Sequence, residues 1–233
     1  MTMKKRSFKR HLPKELAIIY EDNDIIIVDK PAGLLTVKTE TDKTRTAQYI
    51  LTDYLRKGCA KSKNQAYTVH RLDQWTSGVL IFAKSQTIKM RLQENWPQTE
   101  KKYIAVVHGQ LPEKQGVITS YLAENKSYVV YSTPDSKKGK LAHTAFSVIK
   151  ESPSFSMLEI TLLTGRKNQI RVHLSEKGFP IAGDRKYGKP NDGCKRLALH
   201  AKSISFKHPT AGKQMTFEAK LPTFFKDLMK AKQ

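Results

Sequence analysis

Residues 69–78 concentrate groups that can do chemistry. The segment reads Val-His-Arg-Leu-Asp-Gln-Trp-Thr-Ser-Gly and places a carboxylate, Asp73, close behind His70 and Arg71. The apolar run at 79–83 follows at once and predicts a buried strand, a rigid support of the kind that holds catalytic groups. An ionised carboxylate can attack or stabilise an electron-poor centre. The spacing alone fits a surface ion pair between Arg71 and Asp73 equally well.

A second predicted strand end is also rich in polar groups. The stretch at 163–173 holds Arg166, Gln169 and Arg171 just beyond Gly165. Two strand ends that are both rich in cations and amides are better explained by one shared cleft than by two unrelated turns. The sequence therefore predicts a single site built from both segments.

The overall charge indicates the class of partner. Forty-two Lys and Arg residues against 21 Asp and Glu residues give a formal charge of +21 over 233 residues. Such a field draws polyanions from a distance, so nucleic acid is the leading partner. No apolar run approaches the ~20 residues of a membrane-spanning helix, and residues 1–10 lack the apolar stretch of a secretory signal. We expect a soluble, cytoplasmic protein.

The cysteine content argues against a metal cluster or a disulfide scaffold. Cys59 and Cys194 are the two cysteines, and they lie far apart in the sequence. Metal clusters and disulfide frameworks need more cysteines at closer spacing. We expect both to be ordinary reduced thiols.

The hydrophobic periodicity predicts an α+β fold. Apolar positions three and four residues apart predict helices, and β-branched runs bounded by turn residues predict strands. The helices are predicted at 46–56, 85–96, 169–177 and 223–232. The strands are predicted at 17–20, 25–29, 79–83, 103–108, 117–122, 128–132, 142–149, 157–163, 198–206 and 214–219. Because many strands are consecutive, we expect a mixed, mostly antiparallel central sheet with flanking helices and a catalytic cleft.

The sequence shows no repeat, long linker or clear internal boundary. The basic residues at 1–13 predict a flexible arm. Residues 14–233 are predicted to form a single catalytic domain.

Five motifs in order give the chain a resemblance to the RluA-type RNA pseudouridine synthases. They cover most of the sequence between residues 17 and 220, and their order makes the resemblance specific although each motif alone is not. The motifs are Lys30-Pro31-Ala32-Gly33, His70-Arg71-Leu72-Asp73 with Thr76-Ser77-Gly78, Lys102-Tyr103, Gly165-Arg166 with Gln169-Ile170-Arg171 and His173, and Gly183-Asp184 with Tyr187-Gly188. Since the first strand is predicted at residue 17, the chain resembles the branch without an N-terminal S4-like RNA-binding domain. We expect target selection to come from the catalytic domain.

The resemblance implies an isomerase that converts a uridine of ribosomal or transfer RNA into pseudouridine. In that reaction the bond from uracil N1 to ribose C1′ breaks, the base turns, and C5 bonds to C1′. No group is gained or lost, so no cofactor and no metal are expected. The resemblance also implies that the enzyme flips the uridine out of the RNA stack. RNA is the expected partner, and we expect a monomer that requires no membrane and no second protein.

The resemblance assigns three catalytic residues. Asp73 would be the carboxylate that attacks C1′ or promotes a glycal path. Arg171 would pair with it, since a nearby positive charge favours an ionised carboxylate. Tyr103 would lie against the uracil face and assist proton removal at C5. A phosphate-binding Arg171 and a buried strand Tyr103 are the alternatives that the residues alone leave open.

Five further positions match residues near the substrate in the family. They are His70, Arg71, Thr76, Arg166 and Gln169. Arg71 would occupy the space that the flipped uridine leaves, because a planar guanidinium can stack on bases. His70 is expected to pack rather than to assist the reaction.

Two positions depart from the commoner family pattern. Trp75 follows Gln74 where the family usually has charged or polar residues, and Asn168 stands where the family mostly has histidine. A tryptophan there can anchor the core, which we expect, or stack on a flanking base. Asparagine can keep one hydrogen bond but cannot be protonated.

Two alternatives of other classes remain. A non-catalytic RNA-binding or ribosome-associated protein would show the same charge, but it would not need Asp73 inside a basic cleft. A hydrolase or nuclease could use His70, Asp73, His173 and Asp184, although metal-ligand spacing is absent.

Overall fold

A computed structural model of the protein describes residues 16–57, 59 and 61–230. The expected basic arm at 1–13 and the last residues of the predicted C-terminal helix lie outside the described residues. Four helices are present in the described part: α1 (Ala47–Arg56), α2 (Gln86–Glu94), α3 (Gln169–Glu176) and α4 (Thr223–Leu228). The strands there are β1 (Ala17–Glu21), β2 (Ile25–Lys30), β3 (Tyr67–Thr68), β4 (Ser77–Ala83), β5 (Glu100–His108), β6 (Gln115–Glu124), β7 (Val130–Thr133), β8 (Lys140–Glu151), β9 (Phe155–Leu162), β10 (Leu199–Lys207) and β11 (Gln214–Glu218).

All these strands belong to one sheet. Its order is β1-β2-β4-β10-β5-β9-β8-β6-β7, with β11 paired to β10 and β3 paired to β4. Among the named strands of the described residues, every pairing is antiparallel except that of β4 with β10, which is parallel. The predicted α+β class with a mixed, mostly antiparallel sheet is therefore confirmed.

The middle of the sheet is covered on both faces. All seven residues of β4 are buried. In β2 successive side chains enter two different apolar clusters: Ile26 and Val28 face the larger one, and Ile25 and Ile27 face the other. This alternation follows from the two-residue period of a strand. Since each fully buried Ile or Val contributes about 1.5–3 kcal/mol, β2 and β4 form a rigid base for the loops at their ends.

The helix signals in the sequence match the structure closely. The Thr46 side chain accepts a hydrogen bond from the Tyr49 amide at the start of α1, and the Ser85 side chain accepts one from the Ile88 amide at the start of α2. Trp96 lies beyond α2 in a short 3-10 turn, because Pro97 cannot continue an α-helix. The longest of these helices has ten residues, and no helix of the described part is long and apolar enough to cross a membrane.

Three element predictions need correction. The strand predicted at 128–132 is β7 (Val130–Thr133), because Tyr128 adopts φ +58° in a turn closed by the Asn125 side chain. Helix α4 ends at Leu228 instead of residue 232. The short strand β3 was not predicted, since two residues are too few to show a periodic pattern.

Glycine at position 78 is required by the parallel pairing of β4 with β10. Gly78 lies opposite Ala201 and has φ +114°. A Cβ atom at this position would lie 2.2 Å from the Ala201 carbonyl oxygen. Residues other than glycine disfavour this φ, and their Cβ atom would also collide with the neighbouring backbone.

The substitution Gly78→Ala is expected to destabilise the fold by about 3 kcal/mol or more, because backbone strain and overpacking act together. Denaturant unfolding of the purified variant measures this loss. Gly165→Ala is a matched control, since a Cβ atom there would meet no atom within 4 Å. Equal unfolding midpoints for the two variants would contradict the close approach at Gly78.

Candidate active site

The sheet brings three chain segments together by its register. Gly78 on β4 lies opposite Ala201 on β10, and Ala201 lies opposite Tyr103 on β5. Tyr103 in turn lies opposite Ile160 on β9. The loop that carries Asp73 enters β4 just before Gly78, so this row of residues aligns Tyr103 with the end of that loop.

The Asp73 loop is fixed by its own hydrogen bonds and by the turn after β2. The Asp73 carbonyl accepts a hydrogen bond from the Thr76 amide at 3.1 Å, and the Gln74 carbonyl accepts one from the Gly33 amide at 2.9 Å. The Thr36 hydroxyl donates to the Leu72 carbonyl at 2.9 Å. The Asp73 loop is thus anchored to residues 33–36. An isolated surface turn would not need this support.

Lys30 belongs to the first motif, but sequence reasoning gave it no role at the site. Its side chain is fully buried, and its Nζ donates to the carbonyls of Pro31, Leu34 and Gln74 at 2.8–3.0 Å. Burial lowers the pKa of Lys30 to about 7, while the charges of Asp73 and Asp29 act in the opposite direction. Three carbonyl acceptors match the three donors of an ammonium group. A charged residue at the end of an apolar strand, directly before proline, was the available signal.

Arg171 links two carboxylates. Its Nη1 donates to Asp73 Oδ2 at 2.9 Å, and its Nε and Nη2 donate to the two oxygens of Asp184 at 2.8 Å each. The side chain of Asp184 is 1% exposed, that of Arg171 13% and that of Asp73 32%. The forked pairing with Asp184 fixes the guanidinium plane, so the third donor is aimed at the more exposed Asp73.

The electrostatics of this group follow from its burial and its partners. Burial alone would lower the pKa of Arg171, but the hydrogen bonds and charges of Asp184 and then Asp73 raise it above its ordinary value. Burial alone would raise the pKa of Asp184, but Arg171 and the amides of Lys186 and Tyr187 hold it below its ordinary value. Arg171 and Asp184 are both charged at neutral pH. Asp73 therefore faces a guanidinium cation whose position is fixed by Asp184.

The sheet also supports the segment that carries Asp184. The Ala182 amide donates to the Val106 carbonyl on β5, and the Ala198 amide donates to the Ala182 carbonyl. The Gly183 amide donates to the Asp192 carboxylate at 2.6 Å. Asp184 is therefore positioned from the same strand that carries Tyr103.

Tyr103 points its ring into the site as a neutral phenol. The residue is 8% exposed, and burial followed by the charge of Asp73 raises the pKa of its hydroxyl above the ordinary value. Within the described residues this hydroxyl has no hydrogen-bond partner, although it lines the cavity beside Asp73. A tyrosine in this state can donate a proton or hydrogen bond to a ligand.

An open cavity of about 660 Å³ lies over Asp73, in the usual size range of ligand sites. His70, Arg71, Tyr103 and Arg166 line it together with Asp73. A recess of about 70 Å³ continues beneath and is lined by Asp73, Thr76, Tyr103 and Arg171. The structure thus brings all eight sequence-predicted site residues to one cavity and its recess.

Two of these residues have partners that suggest positioning. The four hydrogen-bonding places of the Gln169 amide are taken by the Thr164 hydroxyl, the Arg166 amide, the His143 carbonyl and the Thr144 hydroxyl. Gln169 is 2% exposed, so it holds the loop and has no group left for a ligand. His70 Nε2 accepts a hydrogen bond from the Ile81 amide at 3.2 Å, and its ring packs on Trp96. Burial lowers the pKa of His70 to about 3, so the ring is neutral.

The two departures from the family pattern have distinct surroundings. Asn168 Oδ1 accepts from Arg171 at 3.2 Å, and its Nδ2 donates to the Tyr187 hydroxyl at 3.0 Å. Trp75 is 49% exposed. The expectation that Trp75 anchors the core is therefore wrong.

The described residues offer little support for a hydrolase or a metal centre. His173 is buried between Ser120 and Thr144 and does not line the cavity with His70 and Asp73. The one group of potential metal ligands found among the described residues is His108, Asp192 and Cys194. It lies outside the cavity that contains Asp73.

The family comparison agrees with the geometry. A family model described as RNA pseudouridylate synthase matches residues 24–176. The chain is 34% identical over 227 residues to ribosomal large subunit pseudouridine synthase C of Buchnera aphidicola, with 91% of this chain and 69% of that protein covered. It is 32% identical over 243 residues to tRNA pseudouridine synthase C of Haemophilus ducreyi, with 89% and 91% covered. The solved structure of human RNA pseudouridylate synthase domain containing 4 superposes with a TM-score of 0.75 at 23% identity over 90% of each chain, which shows the fold.

Fold and site together define an RNA-modifying isomerase. Since the family model covers more than half of the sequence, the chain belongs to the RNA pseudouridylate synthase family. The resemblance to the RluA-type enzymes is confirmed, and the non-catalytic alternative is excluded.

Asp184→Asn is expected to lower the free energy of unfolding at pH 7 by about 3 kcal/mol, because it leaves Arg171 buried with one carboxylate. Because the folded-state pKa of Asp184 is depressed, its stabilisation is fully present above the unfolded pKa and is lost as the pH falls from there through the folded pKa. The wild type should therefore lose stability below about pH 4, and the variant should lose less over that range. Chemical unfolding at several pH values measures both effects. Exposed Asp53→Asn is the control, and a variant as stable as this control would contradict the assigned role.

Proposed function

We propose that this enzyme isomerises a flipped-out uridine of ribosomal or transfer RNA, with Asp73 as the catalytic carboxylate. The observation that carries the proposal is the contact of Asp73 with Arg171 at 2.9 Å beside Tyr103, at the floor of a cavity with a cationic rim. The RNA classes are those named for the Buchnera and Haemophilus relatives. A carboxylate in such a cavity has no use in holding phosphates, since it repels them.

The proposed chemistry uses the carboxylate where positive charge develops. As the bond from N1 to C1′ breaks, the ribose becomes electron-poor, and an ionised Asp73 can attack C1′ or promote a glycal path. Arg171 orients the carboxylate through its hydrogen bond in both cases. After the base turns, C5 bonds to C1′ and loses its proton, while N1 gains one. We assign the Tyr103 hydroxyl, which lies in the same cavity as Asp73, to assist this proton removal.

The flipped uridine leaves a gap in the RNA stack. Arg71 is exposed at the mouth of the 660 Å³ cavity, and we assign it to that gap because its guanidinium can stack on bases. Arg166 lies at the same rim, although its Nε donates to the Leu141 carbonyl. Thr76 is buried beside Asp73 and shapes the recess. We assign His70 and Gln169 a positioning role, because they hold the walls of the cavity and its recess in place.

The rest of the functional assignment follows from the site. Tyr103 on the sheet, Arg171 on α3 and the loop residues Asp73 and Asp184 complete the site within one chain and around one sheet, which supports a monomeric enzyme and a single catalytic domain over 14–233. We place the reaction in the cytoplasm, where ribosomal and transfer RNAs are handled. Lysines and arginines around the cavity would contact phosphates and make binding salt-dependent.

Asp73→Asn is expected to abolish pseudouridine formation and to leave RNA affinity intact, because the change removes the charge and keeps the shape. The measurement maps pseudouridines in RNA from cells without the gene, with the wild-type gene and with the variant gene. A site that returns only with the wild type identifies the substrate. Asp53→Asn controls for loss of an exposed carboxylate. Restoration of the site by Asp73→Asn would overturn the assignment.

Tyr103→Phe is expected to bind RNA normally and to lower kcat by about 100-fold or more, since it removes only the hydroxyl that assists proton transfer. Single-turnover assays on the mapped RNA give this rate. Tyr67→Phe is a matched control, because Tyr67 is a strand tyrosine outside the cavity. A fully active Tyr103→Phe enzyme would remove tyrosine from the proton-transfer step.

A further inference from the structure

A second large cavity lies beside the catalytic one. Its volume is about 790 Å³, and it shares Asp73, Gln74 and Asn168 with the 660 Å³ cavity. Both volumes fall in the range of sites that hold a ligand of nucleotide size. The proposed target uridine accounts for the cavity that contains Tyr103. The second cavity, which does not contain Tyr103, is left without an occupant.

Trp75 forms part of the wall of this second cavity. The six-membered ring of its indole lies beside Gly33, where an added Cβ atom would be 3.5 Å from Cζ3. The backbone next to it is held by the Gly33 and Lys30 hydrogen bonds to the Gln74 carbonyl. Trp75 is therefore supported on one side while about half of its surface stays open, 49% by area.

The same cavity is strongly cationic. Two carboxylates, Asp73 and Asp184, line it and both bind Arg171. Its cations are Lys167, Arg171, Arg185, Lys186, Lys195 and Arg196. The positive charge in excess of the carboxylates favours a polyanion at this wall.

Several of these cations already have partners, which narrows the set that can hold a ligand. Lys167 pairs with Glu124, and the Lys186 Nζ donates to the Tyr128 carbonyl at 2.7 Å. Arg196 packs over the Phe224 ring. Arg185 and Lys195 are exposed, and within the described part of the chain neither has an ion-pair or hydrogen-bond partner for its side chain.

We propose that this second cavity binds a nucleotide adjacent to the target uridine on the same RNA strand. The open Trp75 indole stacks on the flanking base, and Arg185 and Lys195 hold the neighbouring phosphates. This inference rests on the proposed function, because it takes the uridine to lie at Asp73. A backbone that places one base against Asp73 must carry the next nucleotide past the wall that both cavities share. Trp75 would then contribute to the affinity for the strand beside the target uridine.

The test uses a short synthetic RNA that contains the mapped uridine. Versions with an abasic site on the 5′ or the 3′ side of that uridine remove one flanking base at a time. Wild type, Trp75→Leu and Trp75→Phe are assayed on each RNA for kcat and KM. Leucine keeps an apolar contact with Gly33 but cannot stack, whereas phenylalanine keeps an aromatic ring. Tyr49→Leu is the control for loss of a half-exposed aromatic ring on another face.

On the intact RNA, Trp75→Leu is expected to raise KM roughly ten-fold with little change in kcat, because base stacking on an aromatic ring contributes mainly to binding. Trp75→Phe should retain most of the affinity, and Tyr49→Leu should match the wild type. One of the two abasic RNAs should show the same loss with the wild-type enzyme. Trp75→Leu should lose nothing further on that RNA, since the stacking partner is already gone.

Two results would overturn the stacking assignment. One is an unchanged KM for Trp75→Leu, and the other is an additive loss when the variant and each abasic RNA are combined. Unfolding curves of the variants exclude a general loss of structure. Failure of the proposed function would look different, because the wild type itself would then form no pseudouridine in the intact RNA.

The phosphate contacts have their own readout. The double variant Arg185→Ala and Lys195→Ala should bind the RNA more weakly, and the slope of log affinity against log salt should fall by about 0.7 for each lost phosphate contact on a single strand. Lys213→Ala, at the exposed turn between β10 and β11, is the control. A salt dependence equal to that of the control would remove both cations from the RNA-binding surface.

Discussion

The site depends on one buried cation, Arg171, and on the two carboxylates that it binds. A buried guanidinium is costly unless its donors are satisfied, and Asp184 satisfies two of them with a side chain that is itself 1% exposed. This pair fixes the direction of Nη1, which donates to Asp73 and to Asn168. In this hydrogen-bonded group of three side chains, Asp184 is therefore the buried anchor and Asp73 is the most exposed member. The orientation of the proposed catalytic carboxylate is therefore set by the pair of Arg171 and Asp184.

The sheet topology explains how a group so spread in sequence can be assembled. Asp73 and Arg171 are 98 residues apart, and their segments meet because β10, a late strand, inserts between β4 and β5. That insertion requires the parallel contact at Gly78 and Ala201. The same insertion places Tyr103 in register with the entrance of β4. Arg171 follows β9, which pairs with β5, so the neighbouring strands β4, β10, β5 and β9 together bring the carboxylate, its arginine and the tyrosine to one site.

Much of this arrangement could be predicted from the sequence, for identifiable reasons. Helix α1 is predicted by its hydrophobic periodicity and strand β4 by its continuous apolar run. Asp73 and Arg171 lie in motifs that occur in a known order. The position of Lys30 at the end of an apolar strand and in the first motif was visible, but its role was not, because the three carbonyls that it binds come from segments far apart in the sequence. Gln169 was assigned to the substrate although its amide is fully used by the protein. Trp75 was expected in the core, since residue type alone does not reveal which side of a loop it occupies.

The charge distribution separates two tasks that would otherwise conflict. A chain with a formal charge of +21 attracts RNA phosphates from every direction, yet the proposed reaction needs an ionised carboxylate where the ribose becomes electron-poor. The cluster of Asp73, Arg171 and Asp184 carries more negative than positive charge, so phosphates are disfavoured at the floor of the cavity. The exposed cations lie at the rim and on the neighbouring wall, among them Arg71, Arg185 and Lys195. A nucleotide can satisfy both regions only with its phosphates outside and its nucleoside inward, which is the geometry of a flipped base.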